Sequence, residues 1–242
     1  MKNMSAKILF IDASARKGGN STKLMYVAEL GARKRGCETE IIYLKDHKIK
    51  PCAGCVSDDI MACKFPCVID DDDFNSLARK LIESDGVVIA TPVYWYMVSG
   101  IMKNFIDRLT SLENMLFHTG KSLVDGKVAA FIATGSDTGT SMTIAYLMDV
   151  FNSFGYHIPP WSLAYHHSID DSLDNGFAVY DSYNLGINVC RAAEIMKKEK
   201  EPWYSFEYDL NEIKNYAKRM AERDGKNDSL EKRIEKAKGD EC

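Results

Sequence analysis

Three short apolar segments of this chain are each followed at once by a segment rich in glycine and hydroxyl side chains. The latter are residues 14–22 (SARKGGNST), 91–100 (TPVYWYMVSG) and 133–141 (ATGSDTGTS). In an open α/β sheet, ligands bind beyond the carboxyl ends of the strands, where the direction of winding reverses. Three loops that each leave the end of a strand therefore predict one ligand pocket at one edge of a sheet.

The first loop has the composition of an anion site. Residues 7–13 (KILFIDA) predict a buried strand, and a helix that begins near Thr22 would direct its free N–H groups at the loop. Gly18 and Gly19 allow a close backbone approach. A guanidinium, an amide and three hydroxyls add donors: Arg16, Asn20, Ser14, Ser21 and Thr22. The loop predicts a phosphomonoester site, and an ordinary turn with a hydroxyl helix cap stays as the alternative.

Three consecutive aromatic residues follow the second strand. Residues 86–90 (GVVIA) predict a buried strand, Pro92 fixes a turn, and Tyr94, Trp95 and Tyr96 come just beyond it. Aromatic side chains at a strand end beside a phosphate loop favour stacking on a flat heterocycle over packing in the core. We therefore expect them to line a ring-binding wall.

Two charged stretches are interpreted as solvent-facing. In the helix predicted over residues 99–109, apolar side chains recur at helical spacing, which puts Lys103, Asp107 and Arg108 on a solvated, salt-bridged face. The acidic run at residues 70–73 is assigned to helix capping and solvent, because the spacing of a calcium-binding EF-hand is missing.

The ordered combination of SARKGGNST, PCAGC…CVIDDDDF and TPVYWYMVSGIMKNFIDR resembles the NAD(P)H-dependent FMN reductase family of flavodoxin-like proteins, which includes iron–sulfur flavoproteins. The resemblance spans roughly residues 5–190. It implies that the FMN phosphate is held by Ser14, Arg16, Asn20, Ser21 and Thr22. It also implies that the isoalloxazine ring is lined by Pro92, Val93, Tyr94 and Trp95, with its other side closed by Thr134, Gly135 and Ser136.

The function that this resemblance implies is electron transfer from NAD(P)H through FMN to a quinone, free flavin or another small acceptor, commonly in homodimers or homotetramers. The cofactors supply the hydride chemistry, so we predict no catalytic side chain, and His166 and His167 are interpreted as part of a polar loop after the fifth strand. Two other classes stay open: an iron–sulfur flavoprotein or flavodoxin-type carrier that takes electrons from ferredoxin, and a non-catalytic nucleotide-binding module.

The order of apolar and helical patterns predicts a flavodoxin-like three-layer α/β sandwich. Its parallel sheet has five strands in the order 2-1-3-4-5, at residues 7–12, 38–44, 86–90, 127–134 and about 156–158. We expect residues 1–198 to form the FMN-binding domain and residues 199–242 a charged helical C-terminal extension. The aromatic residues within 202–206 predict a packing hook, onto a neighbouring subunit in preference to the same chain.

The cysteines suggest a second site. Four of the seven lie within residues 52–67, and without a signal peptide or transmembrane run we expect a cytoplasmic chain in which disulfides are not the default. Iron–sulfur flavoproteins resemble this segment but place a third cysteine where Asp58 stands here. Three outcomes stay open: a metal-free loop, a [4Fe–4S] cluster in which Asp58 replaces one thiolate or all ligands are cysteines, and a zinc ion. The candidate ligands are Cys52, Cys55, Cys63 and Cys67.

Composition excludes two classes of partner. The net charge of −4 is spread as mixed charge along 242 residues, so there is no basic patch for nucleic acid and no polybasic or strongly amphipathic N-terminus for a membrane surface.

Overall fold

A parallel sheet of five strands stands at the centre of the chain, in the computed structural model that describes residues 5–199, 201–225 and 229–239. The strands are β1 (Lys7–Asp12), β2 (Glu38–Tyr43), β3 (Gly86–Pro92), β4 (Val128–Gly135) and β5 (Leu163–His167). Their order in the sheet is β2-β1-β3-β4-β5, and every neighbouring pair is parallel. This confirms the predicted flavodoxin-like order.

The helices cover both faces of the sheet. They are α1 (Asn20–Arg35), α2 (Phe74–Glu83), α3 (Gly100–Glu113), the short α4 (Met115–Thr119), α5 (Thr140–Ser153) and α6 (Gly176–Met196). Successive side chains of a strand point to opposite faces, so alternate residues of β1 belong to two different cores. Leu9 packs in the core with α2, α3 and α5, and Phe10 packs in the core with α1 and α6.

The chain divides into two compact units, Met1–Tyr204 and Ser205–Cys242. The second unit contains the helices α7 (Leu210–Gly225) and α8 (Leu230–Gly239). Their exposed large apolar side chains are Leu210, Ile213, Tyr216, Leu230 and Ile234. In the residues that the structure describes, no helix combines the length and the apolar character that crossing a membrane requires.

The fifth strand lies later in the chain than the sequence pattern predicted. Residues 156–158 make only an isolated bridge, between His157 and Val128, and the sheet resumes at Leu163. Pro159 and Pro160 follow the bridge, and proline has no N–H group to donate to a ladder. His166 and His167 therefore lie within β5, and not in a loop after it.

A disulfide joins Cys37, which precedes β2, to Cys190 in α6, although the sequence predicted a chain in which disulfides are not the default. Both residues are buried at the contact between α1 and α6. The other cysteines with a described side chain are free thiols: Cys52, Cys55, Cys63 and Cys67.

The predicted packing hook folds back on its own chain at Trp203. The backbone N–H of Trp203 donates to Oδ2 of Asp125 at 3.1 Å. The indole ring of Trp203 packs edge-on against the ring of His157, with 4.3 Å between the ring centroids. Gly126 leaves room for this contact, because a Cβ atom there would lie 3.2 Å from Trp203 Nε1. Trp203 is still 54% exposed, so this contact covers only part of the side chain.

Glycines set the distance between α1 and α6. A Cβ atom on Gly186 would lie 1.8 Å from the carbonyl oxygen of Ala28, and one on Gly31 would lie 2.3 Å from that of Tyr183. Both contacts are to backbone atoms, so no change of side-chain rotamer can relieve the clash that an added methyl group would make.

We predict that Gly186→Ala destabilises the protein by about 3 kcal/mol, because the added methyl group must push two helices apart. Gly176→Ala, at the start of the same helix, is the matched control, since nothing lies within 4 Å of its Cβ position. It should leave the stability unchanged or raise it by up to about 1 kcal/mol. Urea denaturation of both variants checks this, and equal midpoints would contradict the tight crossing.

Candidate functional site

A cavity of about 470 Å³ opens beyond the carboxyl ends of β1, β3 and β4. This is the edge at which the winding of the sheet reverses, and the volume is typical of sites for drug-sized ligands. The three predicted loops meet there. Of the residues predicted to contact the cofactor, all except Thr22, Trp95 and Tyr96 line the cavity: Ser14, Arg16, Asn20, Ser21, Pro92, Val93, Tyr94, Thr134, Gly135 and Ser136.

Ser168 and Ile169 also line the cavity and were not predicted. They follow β5 directly, so placing the fifth strand too early in the chain hid them. Within β5, His166 is buried; its Nε2 lies 3.2 Å from the Asp170 carbonyl oxygen and its Nδ1 lies 3.3 Å from Nδ2 of Asn175. Both ring nitrogens of His166 therefore support the segment that carries Ser168 and Ile169.

Two side chains of the first loop are engaged within the protein. Thr22 donates its hydroxyl to Asp12 at 2.7 Å. The Asn20 amide donates to the Asp170 carbonyl at 2.8 Å and accepts from the Ser172 N–H at 3.1 Å. These contacts position the loop. Thr22 keeps only its backbone N–H as a donor for a ligand, whereas Asn20 keeps its backbone N–H and the second N–H of its amide.

The N-terminus of α1 fits an anion. Its N-cap residue, Gly19, offers no side-chain hydrogen bond, so the first N–H groups of this 16-residue helix receive no cap from it. A Cβ atom on Gly19 would lie 3.5 Å from Ser14 Oγ and 3.9 Å from the Arg16 guanidinium. Glycine thus keeps open a cradle that these two donors surround.

Asp12, at the end of β1, organises the first loop. Its buried carboxylate accepts from the Ser14 N–H at 2.8 Å and from the Thr22 hydroxyl. Burial raises the pKa of Asp12, and these two hydrogen bonds oppose that shift. Sequence reasoning missed this residue, although an acidic side chain that ends an otherwise apolar strand was a signal for it.

The aromatic segment forms a two-residue turn. Tyr94 and Met97 exchange backbone hydrogen bonds of 2.9 and 3.2 Å, and the central residues Trp95 and Tyr96 have φ angles of 51° and 66°. Bulky residues rarely adopt positive φ, and such strain persists where the surrounding structure enforces it. Trp95 is 92% exposed and lies outside the cavity lining, whereas Tyr94 forms part of its wall.

The third loop holds this turn in place. A Cβ atom on Gly139, whose φ is 86°, would lie 3.0 Å from Val93 Cγ1 and 3.1 Å from Tyr96 Cα. The hydroxyl of Thr143 donates to the Tyr96 carbonyl at 3.1 Å. The close approach that glycine allows therefore fixes the second loop against the third.

The four free thiols line a second, smaller cavity of about 40 Å³ beside α3. Burial, and then the neighbouring thiols, raises the pKa of Cys63 to about 11. Asp58 is exposed and is absent from the lining. The structure therefore brings together Cys52, Cys55, Cys63 and Cys67, without Asp58.

Side chains that were not predicted anchor this cysteine loop. Asn114 donates to the Cys63 carbonyl at 2.6 Å, and Nε2 of His118 lies 3.0 Å from the same oxygen. Asn75 exchanges two hydrogen bonds of 2.9 Å with the backbone of Cys67. Four thiols around one cavity are a donor set of the kind that holds an iron–sulfur cluster, and outer contacts of this kind orient metal ligands. Among the described residues, no three of these sulfur atoms lie within 4.8 Å of one another, so the loop does not have the closer spacing of a tetrahedral zinc site.

The predicted solvated face of α3 is wrong for Arg108. This side chain is 1% exposed and forms a buried ion pair with Asp72, from the acidic run that was assigned to helix capping and solvent. Asp72 does accept from the Phe74 N–H at the start of α2, but it does not face solvent. Arg108 lies one turn beyond the buried Phe105, so it faces the core edge. Lys103 and Asp107 do form the expected pair on the exposed side.

Comparison with known proteins identifies a matching family and several similar proteins. The family described as NADPH-dependent FMN reductase matches residues 6–169. Two iron-sulfur flavoproteins of Archaeoglobus fulgidus are similar: one is 41% identical over 102 residues (42% of this chain, 48% of the relative), and the other is 33% identical over 150 residues (62% of this chain, 64% of the relative). The chain thus spans about half to two thirds of their length.

A solved structure supports the fold. The structure of RosB with bound 8-demethyl-8-formylriboflavin-5'-phosphate has a TM-score of 0.70 and 21% identity to this chain. The match covers 89% of this chain and 88% of that one.

We predict that Asp12→Asn removes one component of the pH dependence of stability. Because burial raises the native pKa of Asp12 above its ordinary value of about 3.9, the native state binds this proton more tightly than the unfolded chain does. The component therefore lowers the free energy of unfolding as the pH rises from about 3.9 through the native pKa. Over that interval, urea denaturation should show D12N gaining stability relative to wild type, and a constant difference would contradict the assignment.

Proposed function

Because this chain belongs to the NADPH-dependent FMN reductase family, we propose that it binds FMN in the 470 Å³ cavity and passes electrons from NAD(P)H to a quinone, free flavin or another small acceptor. The observation that carries this proposal is the pairing of an anion cradle with an aromatic wall in one cavity. The cradle is the N-terminus of α1 with Ser14 and Arg16, and the wall includes Tyr94.

The first loop would hold the phosphate. Backbone N–H groups at residues 20–22 and the positive end of the α1 dipole favour a dianion there. The hydroxyls of Ser14 and Ser21 and the Arg16 guanidinium add donors from the cavity lining. Thr22 contributes through the backbone, because its hydroxyl already holds Asp12. The Asn20 amide holds Asp170 and Ser172 and keeps one further N–H for the phosphate.

The second and third loops would hold the ring. Val93 and Tyr94 line one part of the cavity, and residues 134–136 line another. The bound cofactor would supply the hydride and electron chemistry, and this chain's residues bind the cofactor, orient it and exclude water. No side chain needs to act as an acid or base in this proposal.

A second candidate function rests on the thiol cavity. Cys52, Cys55, Cys63 and Cys67 share one cavity, and hydrogen bonds anchor the backbone at two of them. We propose that this loop holds a [4Fe–4S] cluster, with zinc as the alternative ion. With a cluster, the chain would act as an electron carrier that accepts electrons from a protein such as ferredoxin.

We also propose a homodimer or homotetramer. Large apolar side chains lie exposed on the first unit, including Trp95, Ile169 and Phe177. Isolated exposed apolar residues are common, but three that are each at least 84% exposed favour burial against another copy.

One spectrum separates the two candidates. Protein purified without oxygen should show two flavin bands, and these should bleach when dithionite is added. In a separate assay, the protein should oxidise NADPH steadily when a quinone is supplied. A broad brown absorption under the flavin bands, and reduction only by a low-potential protein donor, would favour the carrier. Absence of flavin even after FMN is added would refute the main proposal.

We predict that Tyr94→Ala weakens FMN binding about tenfold, because stacking of an aromatic ring contributes about 0.5–1.5 kcal/mol beyond buried area. Trp95→Ala is the matched control, since Trp95 lies outside the cavity lining. It should leave the FMN affinity unchanged. Titration of apoprotein with FMN, followed by flavin fluorescence, measures both, and equal affinities of Y94A and wild type would remove Tyr94 from the ring contacts.

A further inference from the structure

The thiol cavity has a buried arginine in its wall. Arg108 lines this cavity together with the four free cysteines, and its side chain is 1% exposed. Within the part of the chain that the structure describes, its Nε atom is buried and has no hydrogen-bond partner. A buried N–H donor of a charged group is costly to leave unsatisfied, so this donor calls for an acceptor.

The other contacts of Arg108 are complete. One terminal nitrogen pairs with the Asp72 carboxylate, and the other donates to the Ile69 carbonyl at 2.7 Å. The Phe74 ring lies beneath the guanidinium, 4.2 Å from Cζ to the ring centroid. That ring covers one face of the guanidinium plane, whereas the Nε–H bond points within the plane. Phe74 therefore does not satisfy Nε.

These contacts also fix the orientation of the guanidinium. Asp72 accepts hydrogen bonds from the backbone N–H groups of Lys50 and Phe74 at 2.8 and 3.1 Å, so the carboxylate itself is held from two directions. Lys50 precedes the first cysteine pair, and Ile69 follows the last cysteine closely. Arg108 and Asp72 thus clamp both ends of the cysteine loop and present one unused donor beside it.

We propose that Arg108 is a positioning residue of the thiol site, whose Nε–H donates a hydrogen bond to a sulfur of the metal–thiolate centre that the four cysteines hold. This rests on the proposed occupation of that site. Hydrogen bonds to cluster sulfurs stabilise the more negative, reduced state and so raise the reduction potential. Because Asp72 compensates the charge of Arg108, the effect comes from the directed hydrogen bond more than from net charge.

The test compares reduction potentials in holoprotein. Wild type and Arg108→Lys are reconstituted anaerobically with ferrous iron and sulfide, and the midpoint potentials of cluster and flavin are measured in the same sample. Lysine keeps the charge for Asp72 but lacks the fixed Nε–H donor. We expect a lower cluster potential, an unchanged flavin potential and unchanged iron content. Equal cluster potentials would overturn the assignment.

Two further variants keep the test decisive if Arg108→Lys folds poorly. The double variant Asp72→Asn with Arg108→Met removes the buried pair without changing the net charge, and it should lower the cluster potential in the same direction. Arg79→Lys is the matched control, because Arg79 lies over the Phe65 ring at 5.3 Å and is absent from the cavity lining. Its cluster potential should equal that of wild type. An equal shift in R79K would overturn a specific role for Arg108.

The same samples separate this inference from the proposed site. If wild type takes up neither iron nor zinc, the metal site itself is wrong and the role of Arg108 fails with it. If wild type takes up only zinc, the rate of zinc transfer to a chromophoric chelator replaces the potential as the readout. Faster release from R108K than from R79K would then support the hydrogen bond, and equal rates would overturn it.

Discussion

The hydrogen bonds that Asp12 accepts at the end of β1 are the interaction on which the cavity depends. They fix the Ser14 backbone and the Thr22 side chain, and so set the position of the uncapped start of α1. The second loop is then tied to the first, because the Ser99 hydroxyl donates to the Ala13 carbonyl at 2.8 Å. A buried carboxylate thus holds together the proposed anion site. Asp12 is absent from the cavity lining, so its negative charge does not face the ligand that we propose there.

Much of the fold could be predicted from the chain because the inner strands are continuous apolar runs. The strand β1 (KILFID) and most of β3 are buried on both faces, and such runs between helical patterns indicate a parallel sheet. The edge strand β5 (LAYHH) has an alternating pattern, with Ala164 and His166 buried and the others exposed. Two consecutive histidines are polar and resemble a loop, although they end β5. The apolar segment around the buried Tyr156 resembles a strand, although it makes only an isolated bridge. This is why the fifth strand was predicted too early in the chain.

The candidate site was predictable in its loops but not in its supports. Loops carry local signals, such as glycines, hydroxyls and consecutive aromatics. Supports come from residues far apart in the chain: Asn20 meets Asp170 across 150 positions, and Arg108 meets Asp72 across 36. A single sequence shows Arg108 only as a charge on a helix, and only the fold shows that it turns inward.

Under a pulling force, the disulfide separates the first unit into segments that carry tension and segments that do not. Cys37 and Cys190 are separated by 153 positions, so a pulling force applied at the two ends of the chain passes through the covalent bond between them. The strands β2 to β5, with the second and third loops, lie inside the closed loop and are shielded from tension. The strand β1 and the first loop lie outside it. A pulling force would therefore displace the proposed anion cradle at the N-terminus of α1, whereas the segment that carries Tyr94 would bear no tension.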